Sequence, residues 1–558
     1  MIFCHISFKN PHSHFANIKI KFANLTKGPQ EFTLPAWRPG RYELDPFTDH
    51  IFRFGVSDEA GRPLAWRKTT PNTWIVDNPS TQALTLRYDY YAFKMDAGNS
   101  LVDKQQVYLN FINCIFYQVG RMDLPYTVSL DLPKDYLIAC ALGTRPTLQA
   151  SSYHQLVDSP VFASTKLRDL TYTIDGHEFH LTFQGEHPLD ETKLLADFYQ
   201  FTRVQMQAMG GFPCQVYRFL VQSLDYTHYH GVEHEDSTVL VLGPNTPDTH
   251  DNYREMLLGV ASHELFHAWN VTRIRPAEMS PYDFSKEVLF DTGFVAEGFT
   301  TYYGDLFLRQ SGVFSHQAYY KEINTLLLRH FQNYGRFESS LLESSQNLWV
   351  DGYQKSTPSK KVSIYVKGAL VSMILDIQIR QSTTSQHSLI DVIQQMYALH
   401  RYEQGGYTLS DVYALIGKIG GEHVLTLARE LVETTTPIES ILQQTLALVG
   451  CSLVSEPHSN EFTAKTGILL DRNRIIDIAP KSIAYQVVSI GDTLTHINGT
   501  LLEEDWEISD TTVLTLADGS TLTLPSSTET YYSYYSIVDD PAADTLQNSL
   551  KKEWLGDE

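Results

Sequence analysis

The first 170 residues alternate apolar and polar positions in short runs. One such run, Ala16–Phe22, switches between an apolar and a polar residue at every position. Turn-forming groups such as Asn10-Pro11 and Arg38-Pro39-Gly40 separate the runs. Because successive side chains of a strand point to opposite faces, a period of two indicates half-buried strands. We predict a β-rich, sandwich-like domain over residues 1–170.

The middle of the chain changes to a helical period. Apolar residues are spaced as in a helix over residues 188–210, and two short strand-like runs follow at Val216–Val221 and Val239–Leu242. From Asp251 to Gly450 the pattern is mainly helical. A small sheet followed by many helices predicts a mainly helical domain over residues 171–450, so the chain as a whole is expected to be multidomain α+β.

Short strand-like runs return after Cys451. They predict a third, small domain over residues 451–538. The last stretch, 539–558, is polar, and we expect a mobile tail there.

Composition narrows the classes of partner. The formal net charge of −22 argues against a nucleic-acid partner and against an anionic membrane surface. No run of 18 apolar residues occurs, so no membrane span is expected. The N-terminus lacks the basic and long apolar segments of a signal peptide, and a cytoplasmic location is the default expectation.

The five cysteines are widely spread and form neither a disulfide framework nor a cysteine metal motif.

The most informative motif lies in the helical region. His263, Glu264 and His267 form an H-E-x-x-H pattern in an apolar stretch. Two histidines at i and i+4 lie on one helix face and can bind one zinc ion, while the glutamate is placed to take a proton from a water activated by the metal. The motif predicts metal-assisted hydrolysis, most often of a peptide bond.

A hydrolytic zinc site needs a third protein ligand and keeps one position for water. Three glutamates follow the motif: Glu278, Glu287 and Glu297. Glu278 precedes a turn-like segment, whereas Glu297 lies among aromatic residues in a second helical segment. A carboxylate buried there is costly unless a cation balances it, so Glu297 is the preferred ligand.

Several motifs together resemble the glycyl aminopeptidase family of zinc peptidases, peptidase family M61. The segments that carry the resemblance occur in the family's order: Pro35–Tyr42 (P-x-W-x-P-G-x-Y), His230–His234 (G-G-x-E-H), His263–Pro276 (H-E-x-F-H-x-W-N-V-x-R-I-R-P), Glu297–Tyr303 (E-G-x-T-x-Y-Y) and Tyr365–Gly368 (Y-x-K-G). The resemblance implies a thermolysin-like catalytic domain.

The resemblance also implies a role for each residue. His263, His267 and Glu297 would hold one zinc ion, and Glu264 would be the general base. Glu233 would pair with the free α-amino group of the substrate, which is what makes a peptidase an exopeptidase. Tyr365 would stabilise the oxyanion.

The second position of the G-G-x-E-H segment is Gly231, which would let the substrate backbone lie close to the strand. The first position is His230, where the family usually has glycine, and this departure puts the implied preference for small residues such as Gly or Ala in doubt. His228, His230 and His234 also raise the alternative of a second metal site, although loop and strand-edge positions suit them better.

A second resemblance concerns the C-terminal region. Ile490–Gly499 resembles the G-D-x-I-x-x-I-N-G segment of PDZ domains, and Lys481–Tyr485 resembles the stretch that precedes it. A PDZ domain binds a peptide terminus by strand addition, so a peptide or protein ligand is a further expected partner, although a purely structural role is equally open.

The combined hypothesis is a zinc metallo-aminopeptidase that acts on peptides with a free N-terminus. Two alternatives stay open: a zinc endopeptidase on the same scaffold, which would ignore Glu233, and a non-catalytic PDZ-type peptide-binding protein.

Overall fold

The computed structural model describes residues 1–78, 82–354, 357–502, 511–525 and 527–556. In the described N-terminal region, strands predominate. Its elements are β1 Ile2–Ser7, β2 Phe15–Ala23, β3 Gly28–Thr33, β4 Ile51–Asp58, β5 Trp66–Thr70, β6 Thr73–Asn78, β7 Ala83–Tyr91, β8 Leu101–Val102, β9 Gln106–Leu109, α1 Phe111–Cys114, β10 Tyr117–Gln118, β11 Tyr126–Asp131, β12 Leu137–Cys140, β13 Thr147–Ala150, α2 Tyr153–Val157 and β14 Val161–Ser164.

These strands form three sheets, with the orders β13-β11-β1-β2-β7-β4, β10-β3-β6-β5 and β12-β14-β9-β8. The first two sheets face each other across one core. Phe22 on β2 contacts Phe32 on β3 with ring centroids 4.7 Å apart, and Phe54 on β4 contacts Trp74 on β6 at 5.2 Å. Alternating residues of the paired strands are buried in this core, as the period of two predicts.

The middle region combines one sheet with many helices. Its elements are β15 Arg168–Ile174, β16 His177–Gln184, α3 Glu191–Met209, β17 Val216–Ser223, β18 His228–Glu233, β19 Ser237–Gly243, α4 His250–Phe266, a π-helical turn Phe294–Phe299, α5 Thr300–Gln310, α6 His316–Phe331, α7 Leu341–Gln346, α8 Leu348–Asp351, α9 Val366–Thr383, α10 Leu389–Leu399, α11 Leu409–Gly420, α12 Glu422–Glu433 and α13 Glu439–Leu448.

The sheet of this region has the order β15-β16-β17-β19-β18, so β18 is an edge strand. The third sheet of the N-terminal region packs on it: Tyr108 of β9 and Phe162 of β14 share a buried cluster with Leu220 of β17 and Val239 of β19. This packing brings N-terminal loops to the open edge of β18.

The C-terminal region contains β20 Cys451–Glu456, α14 Glu461–Thr466, β21 Ile468–Asp471, β22 Arg474–Ile478, β23 Leu494–Ile497, β24 Thr500–Leu501, β25 Thr511–Leu516, β26 Thr521–Pro525, β27 Tyr534–Asp539 and α15 Thr545–Leu555. The sheets β21-β22 and β24-β23-β25-β26 enclose a small core of their own. Residues 503–510 and 526, which fall inside the predicted PDZ-like segment, lie outside the described residues.

The expectation of a mobile polar tail from residue 539 is wrong for its described part. Residues Thr545–Leu555 form helix α15, which Asp544 caps with its side chain. Trp554 and Leu555 are completely buried in the core of the helical region. Few apolar residues mark this helix in the sequence, and its anchoring depends on contacts with distant helices. Among the described residues, we find no helix with the length and apolar character that a membrane crossing requires.

Candidate metal centre and active-site cleft

Helix α4 ends at the metal-binding motif. His263 and Glu264 lie in its last turn, and His267 follows the helix with helical backbone angles (φ −62°, ψ −17°). The spacing of four residues therefore places both imidazoles on one face, with ring centroids 4.7 Å apart. Gly304 lets α5 lie close to this turn, since a Cβ there would be 3.0 Å from the Cα of His263.

Glu297 reaches the two histidines from the π-helical turn. Its Oε2 is 3.7 Å from Nε2 of His263 and 3.5 Å from Nε2 of His267, and the two Nε2 atoms are 3.1 Å apart. Donor atoms around a tetrahedral zinc ion at its usual bond lengths are separated by roughly 3.3 Å. The three side chains therefore fit one metal ion.

Asn270 ties the two metal-binding segments together. Its carbonyl oxygen is 2.8 Å from Nδ1 of His267. Nδ1 therefore carries the ring proton and donates it to this carbonyl, which leaves Nε2 free to bind a metal. Its side-chain amide donates to the carbonyl of Val295 at 2.8 Å and to Oγ1 of Thr300 at 3.0 Å. A π-helical turn shifts the backbone hydrogen bonds of a helix, and the Asn270 amide donates to two carbonyls of this turn, those of Val295 and Ala296.

The electrostatic environment favours a cation. Glu233, Glu264 and His267 also converge within 4.8 Å, so three buried carboxylates surround the two imidazoles. Burial alone would lower the pKa of His267, but Glu233 and the other two carboxylates raise it to about 10. Burial raises the pKa of Glu233 and, more strongly, that of Glu264. Such a cluster is expensive to bury without a balancing cation.

Two glycines make room for the carboxylates. A Cβ built on Gly231, on the edge strand β18, would overlap Oε1 of Glu264. A Cβ built on Gly40 would overlap Oε2 of Glu233, and Gly40 has a φ of +77°, which disfavours other residues. Gly40 belongs to the N-terminal region and also lines the cleft, so a loop of that region lies against Glu233.

The cleft is a cavity of about 590 Å³ with Tyr365 on its wall. Tyr365 directly precedes α9, and its hydroxyl is 3.4 Å from that of Tyr353, which lines the same cavity. Gly298 and Gly368 allow α9 to approach the π-helical turn, because a Cβ on Gly298 would lie 2.6 Å from the Cα of Gly368. This close crossing holds Tyr365 and Glu297 on neighbouring elements.

Comparison with known proteins agrees with this arrangement. Residues 4–165 match the model of the peptidase M61 N-terminal domain, and residues 256–371 match that of the M61 glycyl aminopeptidases. The two matches support an M61 peptidase. The second match contains all three candidate metal ligands, Glu264 and Tyr365. No curated protein matches the chain.

A solved structure shares the fold over its whole length. The crystal structure of an aminopeptidase N family protein from Idiomarina loihiensis is 23% identical, with a TM-score of 0.88 over 100% of both chains. A substrate-bound M1 zinc metallopeptidase from Deinococcus radiodurans is more distant, with 14% identity and a TM-score of 0.49 over 78% of this chain and 94% of its own.

The structure brings together His263, Glu264, His267, Glu297 and Glu233. The two rejected candidates for the third ligand, Glu278 and Glu287, are exposed, and neither joins a metal-binding group among the described residues.

In the described part of the chain, no metal-binding group includes the three histidines near the edge strand, His228, His230 and His234. Nδ1 of His230 accepts a hydrogen bond from the backbone of Ala97 at 3.3 Å, and Nδ1 of His234 is 3.0 Å from Asp158. His230 thus contacts a loop of the N-terminal region.

Sequence reasoning assigned no role to Gly40, Tyr353 or Asn270. Gly40 and Asn270 belong to segments that carry the family resemblance, so their presence in these motifs was the available signal. For Tyr353 there was none.

Proposed function

We propose that the protein is a zinc metallo-aminopeptidase that hydrolyses the first peptide bond of peptides with a free N-terminus. The observation that carries the proposal is Glu233, a buried carboxylate whose Oε1 has no hydrogen-bond partner among the described residues. It lies within 4.8 Å of a member of the metal-binding triad, where the Gly40 loop meets the cleft. An ammonium group is the partner that this carboxylate lacks.

His263, His267 and Glu297 would hold the zinc ion. When bound, zinc supplies a Lewis acid that makes water a nucleophile at neutral pH and polarises the scissile carbonyl. His₂Glu ligation suits zinc and leaves room for water.

Glu264 is the proposed general base. It takes a proton from the attacking water and then delivers it to the leaving amine. Its Oε2 is buried and has no hydrogen-bond partner in the described structure, so it is free to accept that proton. Tyr365 donates a hydrogen bond to the oxyanion that develops at the carbonyl.

The position of the Gly40 loop against Glu233 favours an exopeptidase over an endopeptidase. The Gly40 backbone packs on Glu233, and a longer chain on the amino side would meet this loop. An internal peptide also offers no charge to pair with the buried carboxylate, which would leave it unsatisfied.

Two finer predictions stay open. One is the preference for small first residues such as Gly or Ala that the resemblance implies. The other is a PDZ-like domain over residues 451–538 with a peptide ligand of its own.

The substitution Glu264→Gln tests the proposed chemistry. The variant should keep one zinc per chain, because the ligands are intact, and lose at least about 10³-fold in kcat on alanyl anilides, because the base is gone. Metal content is measured by mass spectrometry and turnover by anilide release.

Glu255→Gln is the matched control, since Glu255 lies on the same helix and lines the same cleft. Glu255 pairs with Lys321 at 2.6 Å in a solvated position, so its loss should keep activity within about threefold. Activity of the Glu264 variant close to that of the unmodified protein would overturn the mechanism.

A further inference from the structure

Two tyrosine hydroxyls meet on the wall of the catalytic cleft. Tyr353 and Tyr365 both line this cleft, and their hydroxyl oxygens are 3.4 Å apart. Tyr353 comes two residues after the end of α8, whereas Tyr365 directly precedes α9. Among the described residues, Tyr353 is the one hydrogen-bond partner of the Tyr365 hydroxyl. It is therefore the protein group that can orient this hydroxyl.

The number of protons in the pair fixes the direction of its hydrogen bond during the reaction. A phenol hydroxyl carries one proton, so it donates one hydrogen bond and accepts others through its oxygen. If Tyr365 gives its proton to the oxyanion, it has no second proton for Tyr353. The bond between the two hydroxyls must then run from Tyr353 to the oxygen of Tyr365.

A donor at the oxygen of Tyr365 has two effects on the proposed oxyanion contact. It turns the remaining proton of Tyr365 away from Tyr353 and towards the cleft. It also polarises the Tyr365 O–H bond, because hydrogen bonds in a chain strengthen one another. The distance of 3.4 Å is long for two hydroxyls, and catalytic hydrogen bonds that are long in the free enzyme shorten in the substrate complex.

The surroundings keep both hydroxyls protonated. Desolvation in the cleft wall raises the pKa of Tyr353 and that of Tyr365. Neither phenol therefore loses its proton at neutral pH, and each can act as a donor in the chain from Tyr353 to the oxyanion.

A loop of the N-terminal region holds Tyr353 in place. The guanidinium carbon of Arg41 lies 5.0 Å from the centre of the Tyr353 ring, a distance at which cation and ring face attract each other. Glu43 pairs with Arg41 at 2.7 Å and also accepts a hydrogen bond from the side-chain amide of Gln354, the residue after Tyr353. The loop thus binds both Tyr353 and its neighbour.

We infer that Tyr353 is a positioning residue for the oxyanion contact: its hydroxyl donates to Tyr365 and aims the Tyr365 proton at the developing charge. The inference rests on the proposed function, in which Tyr365 stabilises the oxyanion, and adds a second tyrosine to that site. It also gives the N-terminal loop a part in catalysis, because Arg41 covers the ring of Tyr353.

The first test is Tyr353→Phe on the full chain loaded with zinc. The variant loses one hydroxyl and keeps the ring that Arg41 covers. Because the oxyanion develops only in the transition state, kcat on alanyl anilide should fall about 10-fold while KM changes less than about twofold. Zinc content should stay at one per chain. An unchanged kcat, or a loss that lies in KM alone, would overturn the inference.

A double-mutant cycle separates action through Tyr365 from a general effect on the cleft. Tyr365→Phe alone should lower kcat at least about 10²-fold. In that background Tyr353→Phe should change kcat less than about twofold, because the hydroxyl that it positions is already absent. Two losses that multiply would show that Tyr353 acts independently of Tyr365, and they would overturn the inference.

Tyr229→Phe is the matched control. Tyr229 lines the same cleft, but it is 57% exposed and its hydroxyl forms no hydrogen bond within the described part of the chain. The variant should keep kcat within about threefold. A fall as large as that of Tyr353→Phe would contradict a specific role for the Tyr353 hydroxyl.

Failure of this inference and failure of the proposed function give different results. If Tyr365→Phe is impaired and Tyr353→Phe is not, the proposed function stands and the inference is overturned. If no free-amine anilide is hydrolysed, the proposed function fails, and calorimetric titration of the zinc-loaded protein with (1-aminoethyl)phosphonic acid, a tetrahedral oxyanion, tests the pair. Binding about 10-fold weaker in Tyr353→Phe than in Tyr229→Phe supports the inference. Equal affinity, or no binding, overturns it.

Discussion

At the scale of single residues, the proposed catalytic groups are held by close approaches that only small neighbours permit. Glu264 lies against Gly231, and Glu233 lies against Gly40. In both cases the carboxylate occupies the space where a side chain would otherwise be. We propose that the glycine of the edge strand has a second task besides admitting the substrate backbone, because it positions the proposed general base.

Gly231→Ala should move the Glu264 carboxylate without touching a metal ligand. Since the new Cβ overlaps Oε1, we expect kcat to fall about 10- to 100-fold while zinc content stays at one per chain. Gly259→Ala is the control on the adjacent face of the cleft, where the nearest atom to a Cβ is the Tyr229 hydroxyl at 3.9 Å. Steady-state kinetics that show equal rates for the two variants would refute the positioning role.

Asn270→Asp tests the residue that joins the two metal-binding segments. Aspartate keeps the backbone carbonyl that faces His267 but loses the amide donors to the π-helical turn. Zinc affinity should weaken about 10- to 100-fold, as for other groups that orient metal ligands. Zinc titration against a competing chelator measures it, and an unchanged affinity would show that the turn needs no such support.

At the scale of elements, the helix that follows the Glu297 turn is anchored from behind. The Nε1 of Trp554 in α15 donates to the hydroxyl of Tyr302 in α5 at 2.9 Å, and that hydroxyl donates to Asp376 in α9 at 2.7 Å. Arg380 in α9 also donates to the Asp376 carboxylate at 3.1 Å. The C-terminal helix is therefore part of the support for the catalytic elements.

Trp554→Ala should remove this anchor. Loss of a fully buried tryptophan is expected to lower the free energy of unfolding by about 3–5 kcal/mol, whereas Trp554→Phe keeps most of the packing and should cost less. Leu546→Ala, on the same helix but 68% exposed, should change it by less than about 0.5 kcal/mol. Urea unfolding curves measure all three, and similar values for Trp554→Ala and Leu546→Ala would contradict the anchoring role.

At the scale of the whole molecule, local patterns in the sequence predict a β-rich N-terminal region and a mainly helical middle region, and the remainder depends on contacts between distant segments. The i,i+4 spacing of His263 and His267 is a local property, so the convergence of their side chains could be expected. A carboxylate among aromatic residues indicates that Glu297 needs a cation. The turn that carries Glu297 could not be predicted as π-helical, because its support comes from Asn270 on another segment.

The wall that closes the cleft is likewise a product of tertiary structure. Gly40 reaches Glu233 only because a sheet of the N-terminal region packs on β17 and β19. No periodicity in residues 1–170 indicates such a contact. Helix α15 is a second example. Its few apolar residues do not predict that it is buried, because its burial depends on contacts with distant helices.

The most direct test of the aminopeptidase account compares free and N-acetylated aminoacyl anilides on zinc-loaded protein. With Glu233 buried beside the metal-binding triad, cleavage should be confined to substrates with a free amine, with a preference of at least about 10²-fold in kcat/KM. Glu233→Gln should reduce that preference. Equal cleavage of the blocked substrates would contradict the account and indicate an endopeptidase.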